Sequence, residues 1–306
     1  MNSAASEPAL IGIDWGTTSL RAFLIAADGT LLDKAASSEG ILHVPDRDFE
    51  AVFDRCVGRW MEKRRLPVLA SGMITSRNGW IETPYAQAPL SVDDLARALV
   101  GFTTNRGTEV HFVTGVATEH TSGPDVMRGE ETQIIGASGL DMSDGDFVLP
   151  GTHSKWVRVS GGRIVNFATF MTGEIFAALL DHTILGTLAV KGPFLRKGFD
   201  LGVAAGVRDG ASLLHDLFHA RTLPLMGRIE GGMVADYVSG MLIGAEIAAA
   251  KARGDATSEI TLIGRSDLAD RYEVALHAAG IGTKRAPDDI VAGGHLRIAR
   301  SAGLIA

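Results

Sequence analysis

Asp14, Gly16, Thr17 and Thr18 stand together at the end of a short apolar run, Leu10-Ile11-Gly12-Ile13. A Gly-Thr-Thr turn presents several backbone N–H groups and two hydroxyls to one point in space, an arrangement that cradles phosphate oxygens. Asp14, beside that turn, is placed to hold a hydrated magnesium ion bridging the phosphates of ATP. Taken alone, Asp-x-Gly-Thr reads first as a capped turn. The sequence repeats it, however: Gly151-Thr152-His153-Ser154 follows Gly16-Thr17-Thr18-Ser19 by 135 positions, each Gly-Thr turn joining two β runs with a Gly-containing hairpin after the second. An internal repeat of a phosphate-binding turn favours the chemical reading. The P-loop and the dinucleotide fingerprint both fail, because no Gly-Lys-Ser follows Gly16 and the next element reads as a strand.

The elements that must carry these turns alternate between strands and helices, which predicts an α/β fold with mixed sheets. Strands are expected at Leu10 to Asp14, Leu20 to Ala26, Pro67 to Ala70, Val110 to Val113, Phe147 to Leu149, Lys155 to Ser160 and Arg163 to Phe167. Phe49 to Met61 puts one apolar stripe on a helix that buries Cys56. Further helices are expected from Asp93 to Val100, Gly129 to Ser138, Gly173 to Leu185 and Gly231 to Arg253. Ile260 to Gly264 is a strand ending in glycine and leading into a helix, a unit suited to a ligand at the carboxyl edge of a sheet. The polar stretch 141–146 divides the chain into domains 1–140 and 141–306. Ser71-Gly72-Met73 opens a polar loop reaching Pro89, a second candidate site.

The composition sets limits. With 36 acidic and 29 basic side chains the net charge is −7, which opposes broad nucleic-acid binding. One cysteine closes no intramolecular disulfide and builds no thiolate metal site. No run approaches a membrane span and Met1 to Pro8 lacks a signal-peptide pattern, so the expected location is cytoplasmic, with homo-oligomerisation left open. His43, His111 and His295 have no metal-like spacing and read as structural.

Two facing phosphate turns, one carboxylate and a late strand ending in Gly264 resemble the actin, hexokinase and Hsp70 superfamily, which implies two ribonuclease-H-like lobes with an ATP cleft between them. Ile13-Asp14-Trp15-Gly16-Thr17-Thr18-Ser19-Leu20-Arg21, Met127-Arg128-Gly129-Glu130-Glu131-Thr132-Gln133, Pro150-Gly151-Thr152-His153-Ser154-Lys155-Trp156 and Phe170-Met171-Thr172-Gly173-Glu174 resemble the 2-dehydro-3-deoxygalactonokinase family over essentially the whole chain. That resemblance implies phosphorylation of the C6 hydroxyl of 2-dehydro-3-deoxy-D-galactonate with ATP and Mg2+, in bacterial galactonate breakdown.

It further implies Asp14 at the metal, Gly16, Thr17 and Thr18 with Gly151, Thr152 and Ser154 on phosphate, and Gly264 at adenosine. Leu149 stands where the first turn has Asp14, so the second turn grips phosphate without metal. Arg265 stands where a second glycine is common. A sugar kinase needs a base: Glu130 is the first choice, Glu131 the reserve and Asp125 a third, against a plain helix-dipole role for both glutamates. A sugar acid needs donors for its carboxylate, and Arg77, Arg128, His153 and Lys155 lie in the candidate loops, Arg128 preferred over Arg77. Ser71, Gly72, Asn78 and Trp80 are candidates to line the sugar pocket, although Trp80 reads first as a core residue. Another sugar kinase, a phosphatase, a non-enzymatic sugar sensor or an assembly-forming relative share the fold and stay open on these residues. The sensor is disfavoured because the first phosphate strand begins by Leu10, leaving no room for a DNA-binding helix-turn-helix.

Overall fold

The computed structural model describes residues 7–62, 64–140, 144–208 and 212–306. They fall into two compact units, one of Met1–Asp144, Val159–Asn166 and Asp289–Ala306, the other of Gly145–Arg158 and Phe167–Asp288. Part of the expected boundary (141–143) and most of the leader reading (1–6) lie outside the described residues.

In the first unit, β1 (Pro8–Trp15), β2 (Leu20–Ala26) and β3 (Leu31–Ser37) form an antiparallel meander, α1 (Phe49–Met61) follows, and β4 (Val68–Ser71) returns parallel to β1. β5 (Tyr85–Gln87), α2 (Val92–Arg97), β6 (Val100–Thr103), β7 (Glu109–Phe112), β8 (Gly115–His120), β9 (Gly123–Met127) and α3 (Glu130–Ala137) complete its N-terminal part. The main sheet has the order β3-β2-β1-β4-β7-β6, and β5-β8-β9 make a small second sheet. β1 is central, and Leu10, Ile11, Ile13 and Trp15 are buried on both of its faces, which is why it reads as a continuous apolar run. α1 buries Phe49, Val52, Phe53, Val57 and Trp60 in one stripe and is capped by Asp48, which accepts the Ala51 N–H. Val100, expected as the end of a helix, begins β6 instead. The helix stops at Arg97, and Val100 and Phe102 pair with Phe112 and Val110, where β-branched and aromatic side chains fit a pleated surface.

In the second unit, β10 (Gly145–Leu149), β11 (Ser154–Ser160) and β12 (Arg163–Phe170) lead to α4 (Thr172–His182), α5 (Arg196–Arg208), α6 (Leu213–Asp216), α7 (His219–Leu225) and α8 (Val234–Arg253). β13 (Glu259–Leu262), α9 (Ser266–Ala278) and β14 (Gly282–Arg285) close a sheet of order β12-β11-β10-β13-β14. The tip of the β11–β12 hairpin groups with the first unit, where Ile164 and Leu90 exchange backbone hydrogen bonds of 2.8 and 3.0 Å. Among the described residues, Gly231–Arg253 is the one helix long and apolar enough to cross a membrane, and 78% of its apolar window is buried inside the fold. It is a core helix, and small residues let α5 lie directly on it: a Cβ on Gly240 would sit 2.2 Å from the Phe199 carbonyl oxygen.

The last helix, α10 (Ile290–Ser301), corrects the expected extent of the second domain, because it belongs to the first unit. It buries Ile290, Val291, Leu296 and Ile298 against that unit, and the Thr132 carbonyl of α3 occupies the place a side chain at Gly294 would need, 1.9 Å away.

Candidate active site

The register of β1 on β2 sets Asp14 opposite Arg21, whose guanidinium donates to Asp14 Oδ2 at 2.5 Å. The Gly16 N–H to Ser19 carbonyl bond of 2.9 Å closes the first turn and leaves Thr17, Thr18 and Ser19 exposed. Behind it, the N–H groups of Ile41 and Leu42 occupy the carbonyls of Gly16 and Thr17. Gly40 packs so closely that a Cβ there would lie 2.3 Å from the Thr18 nitrogen. The turn is thus braced from behind with its outer face open.

Gly72, at the end of β4, has φ +95°, a backbone that L side chains rarely adopt. A Cβ on it would lie 2.8 Å from the Trp15 carbonyl oxygen and 3.3 Å from Asp14 Oδ1, and one on Gly129 would lie 3.0 Å from the Gly72 Cα. This three-way approach brings Asp14, Gly72 and the start of α3 together. Glu130 there is half-buried and accepts the Arg128 N–H at 2.9 Å. Glu131 points inward. Fully buried, it accepts from the Gly129 N–H at 2.7 Å and the Thr132 hydroxyl at 3.1 Å, and desolvation with the nearby Glu130 charge pushes its carboxyl up to about 8. The reserve base is therefore a buried structural acid, and the half-buried Glu130 is the carboxylate accessible to a ligand.

In the second unit, the turn joins β10 to β11 and leaves Thr152 and His153 exposed. The N-terminus of α4 backs it: Glu174 N–H donates to the Thr152 carbonyl at 3.0 Å, and a Cβ on Gly173 would lie 2.5 Å from the Gly151 oxygen. His153 Nε2 lies 2.6 Å from Glu174 Oε2. Gly264, at the end of β13, comes within 3.5 Å of the Pro150 carbonyl oxygen by the same measure, so the expected adenosine glycine borders this turn.

Several sequence-derived side-chain roles change. The Ser154 hydroxyl is buried and donates to Glu246 Oε1 at 2.6 Å, so it braces the turn. Lys155 is buried, with Nζ donating to the His153 carbonyl at 3.3 Å. The Ser71 hydroxyl is fully buried against His295 Nε2 at 2.9 Å. Trp80 lies in an aromatic cluster with Trp15, Phe49, Phe53, Phe102 and Phe112, so its core role holds. Arg128, the preferred carboxylate reader, is committed elsewhere: it donates to Thr75 and Thr83 and lies 4.3 Å over the Tyr85 ring. Arg77 and Asn78 remain exposed on the same loop.

Sequence reasoning missed three supporting groups. Arg21 was recoverable, since a hairpin pairs residues across its turn. Glu246 carried a signal too, as one carboxylate within the otherwise apolar Met241–Ala250 of a helix. Gly40 carried none.

For magnesium the donor set fits. Asp14 offers one carboxylate whose Oδ1 borders the gap left by Gly72, and this ion keeps most of its waters and takes one or two carboxylates.

Two α/β units, each carrying a Gly-Thr turn between its first two strands, define a kinase fold of the actin, hexokinase and Hsp70 type. Two distant solved structures agree on the fold alone: the Acidaminococcus fermentans (R)-2-hydroxyglutaryl-CoA dehydratase component A (TM-score 0.54, 13% identity, 97% of this chain and 100% of that chain) and a xylulose kinase from Lactobacillus acidophilus (TM-score 0.53, 10% identity, 96% and 89%). The chain belongs to the 2-keto-3-deoxy-galactonokinase family, whose sequence model matches residues 14–298. It is 34% identical to the 2-dehydro-3-deoxygalactonokinase of Escherichia coli (strain K12) over 270 residues, covering 88% of this chain and 90% of the relative. A crystal structure of a protein assigned the same activity, from Sinorhizobium meliloti, superposes with a TM-score of 0.87 at 31% identity, covering 95% of this chain and 98% of that one. The protein is a kinase.

Proposed function

We propose that the enzyme transfers the γ-phosphoryl group of ATP to the C6 hydroxyl of 2-dehydro-3-deoxy-D-galactonate, giving 2-dehydro-3-deoxy-6-phosphogalactonate and ADP, in galactonate catabolism. The observation that carries this reading is the convergence of Asp14, Gly72 and the Gly129–Glu130 helix start in a chain whose family match runs from residue 14 to 298. Phosphoryl transfer asks mainly for positioning and for charge stabilisation. The N–H groups and hydroxyls around Gly16, Thr17 and Thr18 take phosphate oxygens, those of Gly151 and Thr152 take further ones, and Gly264 leaves room for the nucleoside.

Glu130 accepts the proton of the C6 hydroxyl as the new P–O bond forms and the bond from the γ-phosphorus to the bridging oxygen breaks. Asp14 would hold Mg2+, an ion that when bound would neutralise charge on the transferring group. Arg21 holds the Asp14 carboxylate in place through their ion pair. Arg77 pairs with the substrate carboxylate, with Asn78 on the same loop for its hydroxyls. A panel assay tests the whole: ADP release with MgATP across 2-keto-3-deoxy sugar acids and neutral sugars. Turnover confined to the acids, highest for the galactonate derivative, is expected. Equal turnover of neutral sugars overturns the substrate, and phosphate release from sugar phosphates without ATP overturns the reaction.

A further inference from the structure

We propose that His215, Asp216 and His219 form a site for a divalent transition metal of the zinc class, separate from the residues placed in either phosphate turn. Each side chain offers one ligand atom, and the three atoms lie within 4.8 Å of one another. The backbone explains why. Leu217 and Phe218, between α6 and α7, keep right-handed helical angles (φ −55°, ψ −32° and φ −66°, ψ −20°), so the two histidines sit one helical turn apart on one face. Their rings are 5.3 Å apart, edge to face.

Asp216 supplies the second observation. Its carboxylate is buried, and among the described residues it forms an ion pair with His219 Nδ1 at 3.6 Å, too far for a hydrogen bond. Burying a carboxylate is costly, and a divalent ion held jointly with two imidazoles would compensate its charge. Both histidine rings have room to turn, His215 being exposed and the His219 side chain 43% exposed. Zinc holds nitrogen and oxygen donors at about 2.0–2.2 Å, so binding needs only ring rotations that draw the three atoms together. Two imidazoles and one carboxylate select borderline ions such as Zn2+, Co2+ or Ni2+ over Mg2+ or Ca2+, which prefer oxygen. Three protein donors leave a position for water. The bound ion would clip the end of α6 to the start of α7.

The test uses the untagged, chelator-dialysed full chain. Zinc chloride is titrated by calorimetry and in competition with a chromophoric chelator, and thermal unfolding is followed with and without the ion. One equivalent per chain and a raised unfolding temperature are expected, with no response to magnesium or calcium. The variant His215→Ala/His219→Ala should lose the equivalent while keeping wild-type kinase turnover in MgATP, and Asp216→Asn should weaken binding by about tenfold or more. Zinc uptake by the double variant equal to that of the wild type overturns the site, as does a wild-type chain that takes up no zinc at micromolar concentration.

Discussion

Ser154 and Glu246 share a 2.6 Å hydrogen bond that ties the second Gly-Thr turn to the buried middle of α8. Trp156 and Tyr272 donate to the same carboxyl at 2.7 Å each, and Thr172, at the start of α4, donates to its second oxygen. Burial raises the Glu246 carboxyl above its ordinary range while these donors oppose the rise. A single side chain thus fixes β11, α4 and α9 around the turn.

Glu246→Ala should leave four donors unpaired, three of them buried, and lower stability on the order of 3 kcal/mol in urea denaturation. Glu246→Gln keeps the volume and should fold. Its amide cannot accept at both ends, so the turn loosens and the KM for ATP should rise several-fold while the KM for the sugar acid holds. An unchanged KM for ATP in the glutamine variant would show that the turn does not depend on this brace.

Two buried groups set opposite limbs of the stability profile. Glu131 titrates at about 8 in the fold against an ordinary 4.5, so its contribution is full below 4.5 and is lost as the pH rises through 8. His295 is pushed down to about 3 from 6.5, first by burial and then by the Arg21 charge, so its contribution is present above 6.5 and is lost as the pH falls towards 3. Between 4.5 and 6.5 the two slopes cancel, giving a plateau with a decline on either side. Glu131→Gln should make the alkaline decline shallower by up to about 1.4 kcal/mol per pH unit. Denaturant melts between pH 5 and about 9 measure this, and the same decline in both proteins would exclude Glu131 as its source.

The sequence-derived elements that match the structure are those whose signal is local. Leu20 to Ala26 and Phe49 to Met61 are found with those boundaries, because alternation and helical periodicity lie within the segments themselves. β8 and β9 escaped because short strands containing Gly115, Gly123 and Pro124 carry little pattern. α10 lies within the expected second domain but packs on the first unit, because its sequence does not say which partner its apolar face covers. The two turns were legible for the same local reason. Side-chain roles were not: the partners of Arg128, Ser154 and Ser71 are 53, 92 and 224 positions away, so only the tertiary fold reveals that these groups are already engaged.

Asp14→Asn separates chemistry from folding. Its ion pair with Arg21 is partly exposed, so its loss should cost no more than about 1 kcal/mol of stability. Turnover should fall on the order of 100-fold or more, since the carboxylate is assigned to the ion that stabilises the transferring phosphoryl group. Magnesium titrations of the steady-state rate, beside thermal melts of both proteins, read the two effects. Wild-type turnover in the variant, or full activity of the native enzyme in chelator, would remove Asp14 from the metal.

The last contrast concerns two arginines on one loop system. Arg128 donates to the carbonyl and hydroxyl oxygens of both Thr75 and Thr83, which are themselves buried, and covers Tyr85. Removing it should strip four hydrogen bonds from this buried pair and lower stability by about 2–4 kcal/mol, with turnover of every substrate falling together. Arg77 is exposed, and truncating it should barely move the melting temperature. If Arg77 pairs with the substrate carboxylate, Arg77→Ala should raise the KM for the sugar acid by roughly tenfold, equivalent to about 1.4 kcal/mol. The KM for ATP and for an uncharged analogue reduced at the carboxylate should stay the same. Kinetics of both variants on both compounds decide the roles: a loss confined to the acid in Arg77→Ala assigns the charge reader. An equal loss for acid and analogue would assign Arg77 to the phosphoryl group instead, and no loss for either would leave specificity to contacts with the sugar hydroxyls.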